Sequence, residues 1–206
     1  LPLHHELERA LEAWRPEVPN GRALVFGTGF QANLTVVSAL AEATGGVFAD
    51  KLAHASVAEG LRLHGGGGGR FHRFRHNDLM HLEALLQQHQ PAEGGLVAVE
   101  SLYSMDGDHP PFEELCALQR RYGFWLLVDE AHSAGAYPGL HARAFAGIPE
   151  RTVLLGTFGK ALGGFGAYVV APPEVREYLV NFGRGFIFST SPPPAVLGAA
   201  LGALEV

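Results

Sequence analysis

Four side chains of different chemistry each follow a short apolar stretch of the chain. Glu100 and Asp129 end two such stretches, His132 comes shortly after Asp129, and Lys160 lies in a glycine-rich segment beyond a third. In open α/β sheets, ligands bind just beyond the carboxyl ends of the strands. If the apolar stretches are neighbouring strands, these side chains share one edge of the sheet and could perform acid–base or nucleophilic chemistry together.

Lys160 and Asp129 together suggest a more specific chemistry. A lysine amine attacks carbonyl groups once its pKa is lowered, and Gly156, Gly159 and Ala161 nearby would let a bulky cofactor approach closely. An aspartate at a buried strand end can pair with a protonated ring nitrogen. A Schiff-base lysine and an acid at the pyridinium nitrogen define a pyridoxal phosphate site. From these residues alone, a surface lysine in a glycine-rich loop remains the alternative.

Glycine-containing turns offer weaker signals for phosphate binding. The turn at residues 27–29 precedes a predicted helix, whose first backbone N–H groups suit a phosphate. It is not a G-x-G-x-x-G motif, because Ala32 stands at the last position. The segment before Lys160 is not a Walker A loop, which needs glycine at Leu154 and serine or threonine at Ala161. The hypothesis of an ATPase therefore loses its main support in the sequence.

Other catalytic classes have little support in the sequence. His72, His76 and His81 are flanked by arginines and a glycine run, which disfavours an ordered metal-binding helix, and the chain contains no H-E-x-x-H motif. It contains no G-x-S-x-G motif of the serine hydrolases either. We therefore expect neither a catalytic metal nor a serine nucleophile.

Composition limits the class of protein. The 206 residues are 47% apolar and 17% charged, which is typical of a globular chain of one or at most two domains. The net charge of −6 argues against a nucleic-acid partner. No apolar run approaches the ~18 residues of a membrane span, and the first residues lack a signal-peptide pattern. The single cysteine, Cys116, fits a reducing, cytoplasmic compartment.

Apolar runs alternate with segments of helical periodicity along the chain, which predicts an α/β fold with a buried, mostly parallel sheet. The glycine run 65–69 is predicted to be a surface loop, with a phosphate cradle as the less favoured alternative. The predicted helices are 3–14, 30–43, 54–63, 79–89 and 112–121, and the predicted strands are 47–49, 95–99, 125–128 and 152–155.

The segment 157–166, Thr-Phe-Gly-Lys-Ala-Leu-Gly-Gly-Phe-Gly, resembles the pyridoxal phosphate attachment signature of class II aminotransferase-like enzymes. More specifically, nearly the whole chain resembles the α-oxoamine synthases. Further matching segments are 29–33, 54–56, 74–78, 104–107, 128–132 and 188–191. The resemblance implies a three-layer α/β/α fold, the large domain of the fold-type I transferases. It also implies that 1–206 is the cofactor-binding domain, without the family's N-terminal segment and C-terminal small domain.

The resemblance implies a role for each matching residue. Lys160 would carry pyridoxal 5'-phosphate as a Schiff base and later move protons at the substrate α-carbon. Asp129 would keep the pyridine nitrogen protonated, and His132 would hydrogen-bond the phenolic oxygen of the ring. His54 would stack on the ring and border the substrate, while Glu100 would lie behind these groups.

Further residues are implied to contact the cofactor from other segments. Ser104 would do so from a loop at a strand end, Thr157 would bind the phosphate, and Gly29 and Phe30 would supply nearby backbone. Thr190 would reach the phosphate of a neighbouring subunit, which implies a homodimer with shared active sites.

The implied reaction is the decarboxylative condensation of an amino acid with an acyl thioester of CoA or of a carrier protein. The greatest resemblance is to the member that joins L-alanine to a pimeloyl thioester in biotin synthesis. A member that uses glycine and acetyl-CoA is one alternative, and a synthase with a longer acyl donor is another. A non-catalytic fragment that keeps the fold is a third.

Overall fold

The computed structural model describes residues 2–63, 70–136 and 150–205, and the predicted loop at 65–69 lies outside them. The described residues form one seven-stranded sheet covered by helices. Its strands are β1 (Arg22–Phe26), β2 (Val47–Asp50), β3 (Phe71–Phe74), β4 (Leu96–Glu100), β5 (Trp125–Asp129), β6 (Thr152–Thr157) and β7 (Ala167–Ala171).

The described α-helices are α1 (Pro2–Trp14), α2 (Gly29–Thr44), α3 (Ala55–Leu63), α4 (Leu79–His89), α5 (Phe112–Tyr122), α6 (Pro173–Phe182), α7 (Arg184–Ile187) and α8 (Pro194–Leu204). A single 3₁₀ turn, Ala92–Gly94, precedes β4. Within the described ranges, no helix is long and apolar enough to cross a membrane.

The strand order is β1-β7-β6-β5-β4-β2-β3. The five strands from β6 to β3 are parallel, whereas β7 runs antiparallel to both β6 and β1. The predicted α/β class with a mostly parallel sheet is therefore confirmed. Strands β1, β3 and β7 were not among the predicted strands. In β3 the polar residues His72 and Arg73 lie between Phe71 and Phe74 and interrupt the apolar pattern.

Helices cover both faces of the sheet, as the three-layer prediction requires. One apolar cluster joins a face of the sheet to α1, α4, α5 and α8, and a second joins the opposite face to α2, α3 and α6. Successive residues of β4 alternate between the two, with Val97 in the first cluster and Leu96 and Ala98 in the second. Burial on both faces explains the nearly continuous apolar sequence of the central strands.

The sheet brings several chain segments to one edge. Glu100 and Asp129, the last residues of β4 and β5, are paired in register. The end of β1 reaches the same edge, because Phe26 and Thr157 are both paired with Ala167 of β7. Helix α2, which follows β1, therefore begins beside the carboxyl ends of the central strands.

Candidate active site

A cavity of about 190 Å³ opens at this edge of the sheet. It contains all four residues that the sequence singled out first, together with four more of the predicted cofactor contacts and three further residues. The lining residues are Gly29, Phe30, Asn33, His54, Glu100, Asp129, Ala131, His132, Leu155, Thr157 and Lys160.

Asp129 is a buried carboxylate whose hydrogen-bond partners are neutral. Its Oδ2 accepts from Nδ2 of Asn33 at 2.7 Å, and its Oδ1 accepts from the backbone N–H of Ala131 at 3.0 Å. Among the described residues it forms no ion pair. A buried negative charge is costly unless it is paired, so Asp129 is suited to a cationic group that enters the cavity.

Asn33 is a site residue to which the sequence assigned no role. It is 2% exposed, and its Oδ1 has no hydrogen-bond partner among the described residues. It lies one helical turn after Gly29 on α2, so the two residues face the same way. The helical spacing from the 27–29 turn is the signal that could have revealed it.

Lys160 and His132 are in direct contact. Nζ of Lys160 lies 2.6 Å from Nε2 of His132. Burial and the Lys160 charge lower the pKa of His132. The imidazole is therefore neutral near pH 7, so its Nε2 can accept a hydrogen bond from the ammonium group of Lys160.

Glu100 is the second carboxyl group of the cavity. Burial and the neighbouring charge of Asp129 raise its pKa to about 7, against an opposing effect of Lys160. The nearby backbone N–H groups of His54 and Ser104 also act to lower this pKa, without offsetting the rise. Near neutral pH, Glu100 therefore exchanges a proton readily at the wall of the cavity.

The beginning of α2 provides backbone donors at the opposite end of the cavity. Thr28 caps the helix by accepting from the N–H of Gln31 at 3.1 Å, and the first turn contains no acidic residue. The N–H groups of Gly29 and Phe30 have no partner within the helix. The Thr157 hydroxyl lines the same cavity and donates to the carbonyl of Gly166 at 2.9 Å. This end suits an anion.

His54 follows the turn after β2 and borders the cavity from a third side. Its Nδ1 lies 2.7 Å from Oγ of Ser56, and its ring meets the ring of Phe30 edge to face at 6.4 Å. These contacts hold the imidazole at the mouth of the cavity.

Two predicted site residues lie outside the lining. Ser104 is exposed, and its backbone lies close enough to Glu100 to lower the pKa of that carboxyl group. Thr190 is also exposed and lies beyond α7. Its contact with a neighbouring subunit stays a prediction.

A family model described as aminotransferase class I and II matches residues 1–206. The chain belongs to this family. Among curated relatives, the 8-amino-7-oxononanoate synthase of Geobacter sulfurreducens is 44% identical over 209 residues, covering 100% of this chain and 52% of the relative. The chain spans about half the length of the curated relatives that it matches.

Solved structures agree with this assignment. Serine palmitoyltransferase from S. paucimobilis, with a bound PLP–myriocin aldimine, has a TM-score of 0.86 at 33% identity, covering 100% of this chain and 51% of its own. The 8-amino-7-oxononanoate synthase of Francisella tularensis has a TM-score of 0.79 at 28% identity, with 100% and 58% covered. The resemblance to the α-oxoamine synthases and the fold-type I architecture are therefore confirmed.

Proposed function

We propose that this chain is the cofactor-binding part of a pyridoxal phosphate-dependent acyltransferase of the α-oxoamine synthase type. The main observation behind the proposal is that one cavity brings together Lys160, Asp129, His132 and the beginning of α2. An amine, an uncompensated carboxylate and an anion site match the three polar ends of pyridoxal phosphate.

The residues fit this cofactor in chemical terms. Asp129 would balance a protonated pyridine nitrogen, since its present partners, Asn33 and Ala131, are neutral. The N–H groups of Gly29 and Phe30 would hold the phosphate, and the Thr157 hydroxyl would join them by turning its O–H from the Gly166 carbonyl to the phosphate. When bound, pyridoxal phosphate withdraws electrons from the α-carbon of an attached amino acid.

The side chains of the chain would supply the remaining steps. Lys160 would hold the cofactor covalently and then, as a free amine, carry a proton to and from the substrate α-carbon. Neutral His132 would orient that amine and hydrogen-bond the phenolic oxygen of the ring. His54 would cover one face of the ring and exclude water from the reacting carbon. Ser104 would contact the cofactor from the loop that follows β4.

We further propose L-alanine and a pimeloyl thioester, of CoA or a carrier protein, as the substrates, with 8-amino-7-oxononanoate and carbon dioxide among the products. The name of the Geobacter sulfurreducens relative supports this choice. A synthase that uses serine and a longer acyl donor is the second candidate, which the structural similarity to serine palmitoyltransferase supports. We place the enzyme in the cytoplasm as a homodimer, in which Thr190 reaches the partner's phosphate.

Cofactor attachment can be tested directly because the chain contains just two lysines, Lys51 and Lys160. Adding pyridoxal phosphate should produce an absorbance band at about 420 nm that borohydride reduction removes. Lys160→Ala should abolish the band and the reduced covalent adduct. Lys51→Ala is the matched control and should retain both. A band that survives Lys160→Ala would contradict the proposal.

Substrate choice needs a separate assay on the protein as its gene encodes it. Alanine, glycine and serine should each be tested with pimeloyl-, acetyl- and palmitoyl-CoA, with release of carbon dioxide as the readout. We expect alanine with pimeloyl-CoA to give the highest kcat/KM. Preference for glycine with acetyl-CoA, or serine with palmitoyl-CoA, would replace the proposed substrates while keeping the reaction type.

A further inference from the structure

We propose that His76 is a positioning residue that joins the two loops carrying His54 and Ser104 and so holds one wall of the candidate active site. His76 itself does not line the cavity. The proposal rests on the proposed function for what this wall does, whereas the contacts described below stand independently of it.

The first contact of His76 is with Asp50, the last residue of β2. Nδ1 of His76 lies 2.8 Å from Oδ1 of Asp50, whose side chain is fully buried. The same Oδ1 accepts from the N–H of Leu52 at 2.8 Å, and the Asp50 carbonyl accepts from the N–H of Ala53 at 3.0 Å. Asp50 thereby shapes the turn that leads directly to His54.

The second contact of His76 is with Asp108, in the loop between β4 and α5. Nε2 of His76 lies 2.9 Å from Oδ2 of Asp108. The Asp108 carbonyl accepts from the N–H of Tyr103 at 2.9 Å, and the Tyr103 carbonyl accepts from the N–H of Gly107 at 2.9 Å. The loop thus closes on itself around Ser104.

Further contacts fix the imidazole in this position. Its ring packs edge to face on the buried ring of Tyr103, with centroids 4.5 Å apart. The adjacent Asn77 donates from its backbone to Asp50 at 2.9 Å and from its side chain to Asp108 at 2.9 Å. The His76–Asn77 pair therefore bridges the same two carboxylates twice.

The two bridged loops meet again at Glu100. The backbone N–H groups of His54 and Ser104 both lie close enough to the Glu100 carboxyl group, which lines the cavity, to lower its pKa. The loops therefore converge at Glu100 on the cavity side and are joined at His76 on the outer side. Without His76, the outer connection depends on Asn77 alone, and the turn before His54 loses a donor to Asp50.

The protonation state of His76 matters because both ring nitrogens face carboxylates. Burial lowers its pKa, but the hydrogen bonds to Asp50 and Asp108 outweigh burial and raise the pKa overall. Arg75, in the same turn, is paired with Asp78 at 2.7 Å, and His81 of α4 accepts from the backbone N–H of Arg75. An imidazolium donates to both carboxylates, whereas neutral imidazole has a single N–H.

Hydrogen exchange in the cofactor-free protein, as its gene encodes it, tests this connection. His76→Ala should raise amide exchange about tenfold in residues 52–55 and 103–107 and leave the amides of β5 unchanged. Affinity for pyridoxal phosphate should also fall about tenfold. Asp106→Asn is the matched control, because it removes an exposed carboxylate of the same loop. Its exchange and affinity should equal those of the wild type.

A second variant keeps the proposal testable if His76→Ala does not fold. Asp108→Asn should raise exchange in the same two segments and lower the pKa of His76 measured by NMR. Unchanged exchange in both segments, or a uniform rise that includes β5, would overturn the proposal. Exchange is read without cofactor, so this result is independent of whether Lys160 binds pyridoxal phosphate.

Discussion

Asp129 and Glu130 are neighbours in the sequence, are both buried, and have opposite surroundings. Asp129 faces the cavity and is hydrogen-bonded to neutral donors. Glu130 faces the core, where it is ion-paired with Arg15 and accepts from the hydroxyl of Tyr168 at 2.9 Å. One carboxylate keeps its charge available to a ligand, while the other joins the end of α1 to the sheet. Acidic type and burial therefore do not distinguish a functional carboxylate from a structural one, whereas the charge of its partners does.

The core contacts of Glu130 also explain why residue 156, near Lys160, is a glycine. A Cβ atom at Gly156 would lie 2.2 Å from Cζ of Tyr168, the residue that donates to Glu130. Gly156 therefore makes room for the core network. This contact gives no support to the expectation that Gly156 makes room for a cofactor.

Replacing the carboxylate by an amide in each neighbour should give the clearest contrast between the two residues. Glu130→Gln removes the carboxylate charge closest to the buried Arg15 guanidinium and leaves Glu17 at 3.8 Å, so the free energy of unfolding should fall by about 3 kcal/mol. Urea unfolding, followed by circular dichroism, measures the loss. A change below about 1 kcal/mol would show that the pair is not structural.

Asp129→Asn should give the opposite pattern. Unfolding should change by less than about 1 kcal/mol, because Asp129 has no ion pair among the described residues to lose. An amide cannot balance a protonated ring nitrogen, so turnover in the proposed reaction should fall on the order of 10² to 10³-fold. Steady-state kinetics measures this effect, and nearly full turnover would refute the assigned role.

The pH dependence of stability tests Glu100, the second carboxyl group of the cavity. The folded pKa of Glu100 is about 7 and its ordinary value is 4.5. The stability that protonated Glu100 contributes to the folded state is therefore fully present below pH 4.5 and is lost as the pH rises to about 7. Glu100→Gln should remove on the order of 2 kcal/mol of this dependence. Urea unfolding of both proteins between pH 4 and 8 gives the difference, and parallel curves would contradict the raised pKa.

Two helix caps provide the smallest and most specific test. Thr28 caps α2 at the cavity, and Asp78 caps α4 away from it. Thr28→Ala and Asp78→Ala should each cost about 1 kcal/mol of stability. Thr28→Ala alone should weaken pyridoxal phosphate binding, measured by absorbance titration. Because Asp78 lies two residues from His76, Thr28→Ser, which keeps the capping hydroxyl, is the control for affinity. An equal loss of affinity in Thr28→Ser would contradict this role of the cap.

Most elements could be predicted because their apolar patterns are local. Helix α4 occupies the predicted residues 79–89, and Asp78 caps it. Strand β7 also has a local apolar run and was overlooked, whereas its antiparallel direction depends on pairing with two distant strands. Within the site, Lys160, Asp129 and His132 follow strand ends and were predictable. The helical spacing of Asn33 from Gly29 was also available, but its hydrogen bond to Asp129 depends on the orientation of α2 relative to β5.

The sequence by itself determined the α/β class, the family resemblance and the residue types at the strand ends, since these depend on local pattern and motif. The tertiary structure alone decided that Glu130, the neighbour of Asp129, faces the core and pairs with Arg15. It also decided that His76 lies between Asp50 and Asp108, which are far from each other in the chain. Hydrogen bonds and burial depend on spatial neighbours, and the sequence does not contain those distances.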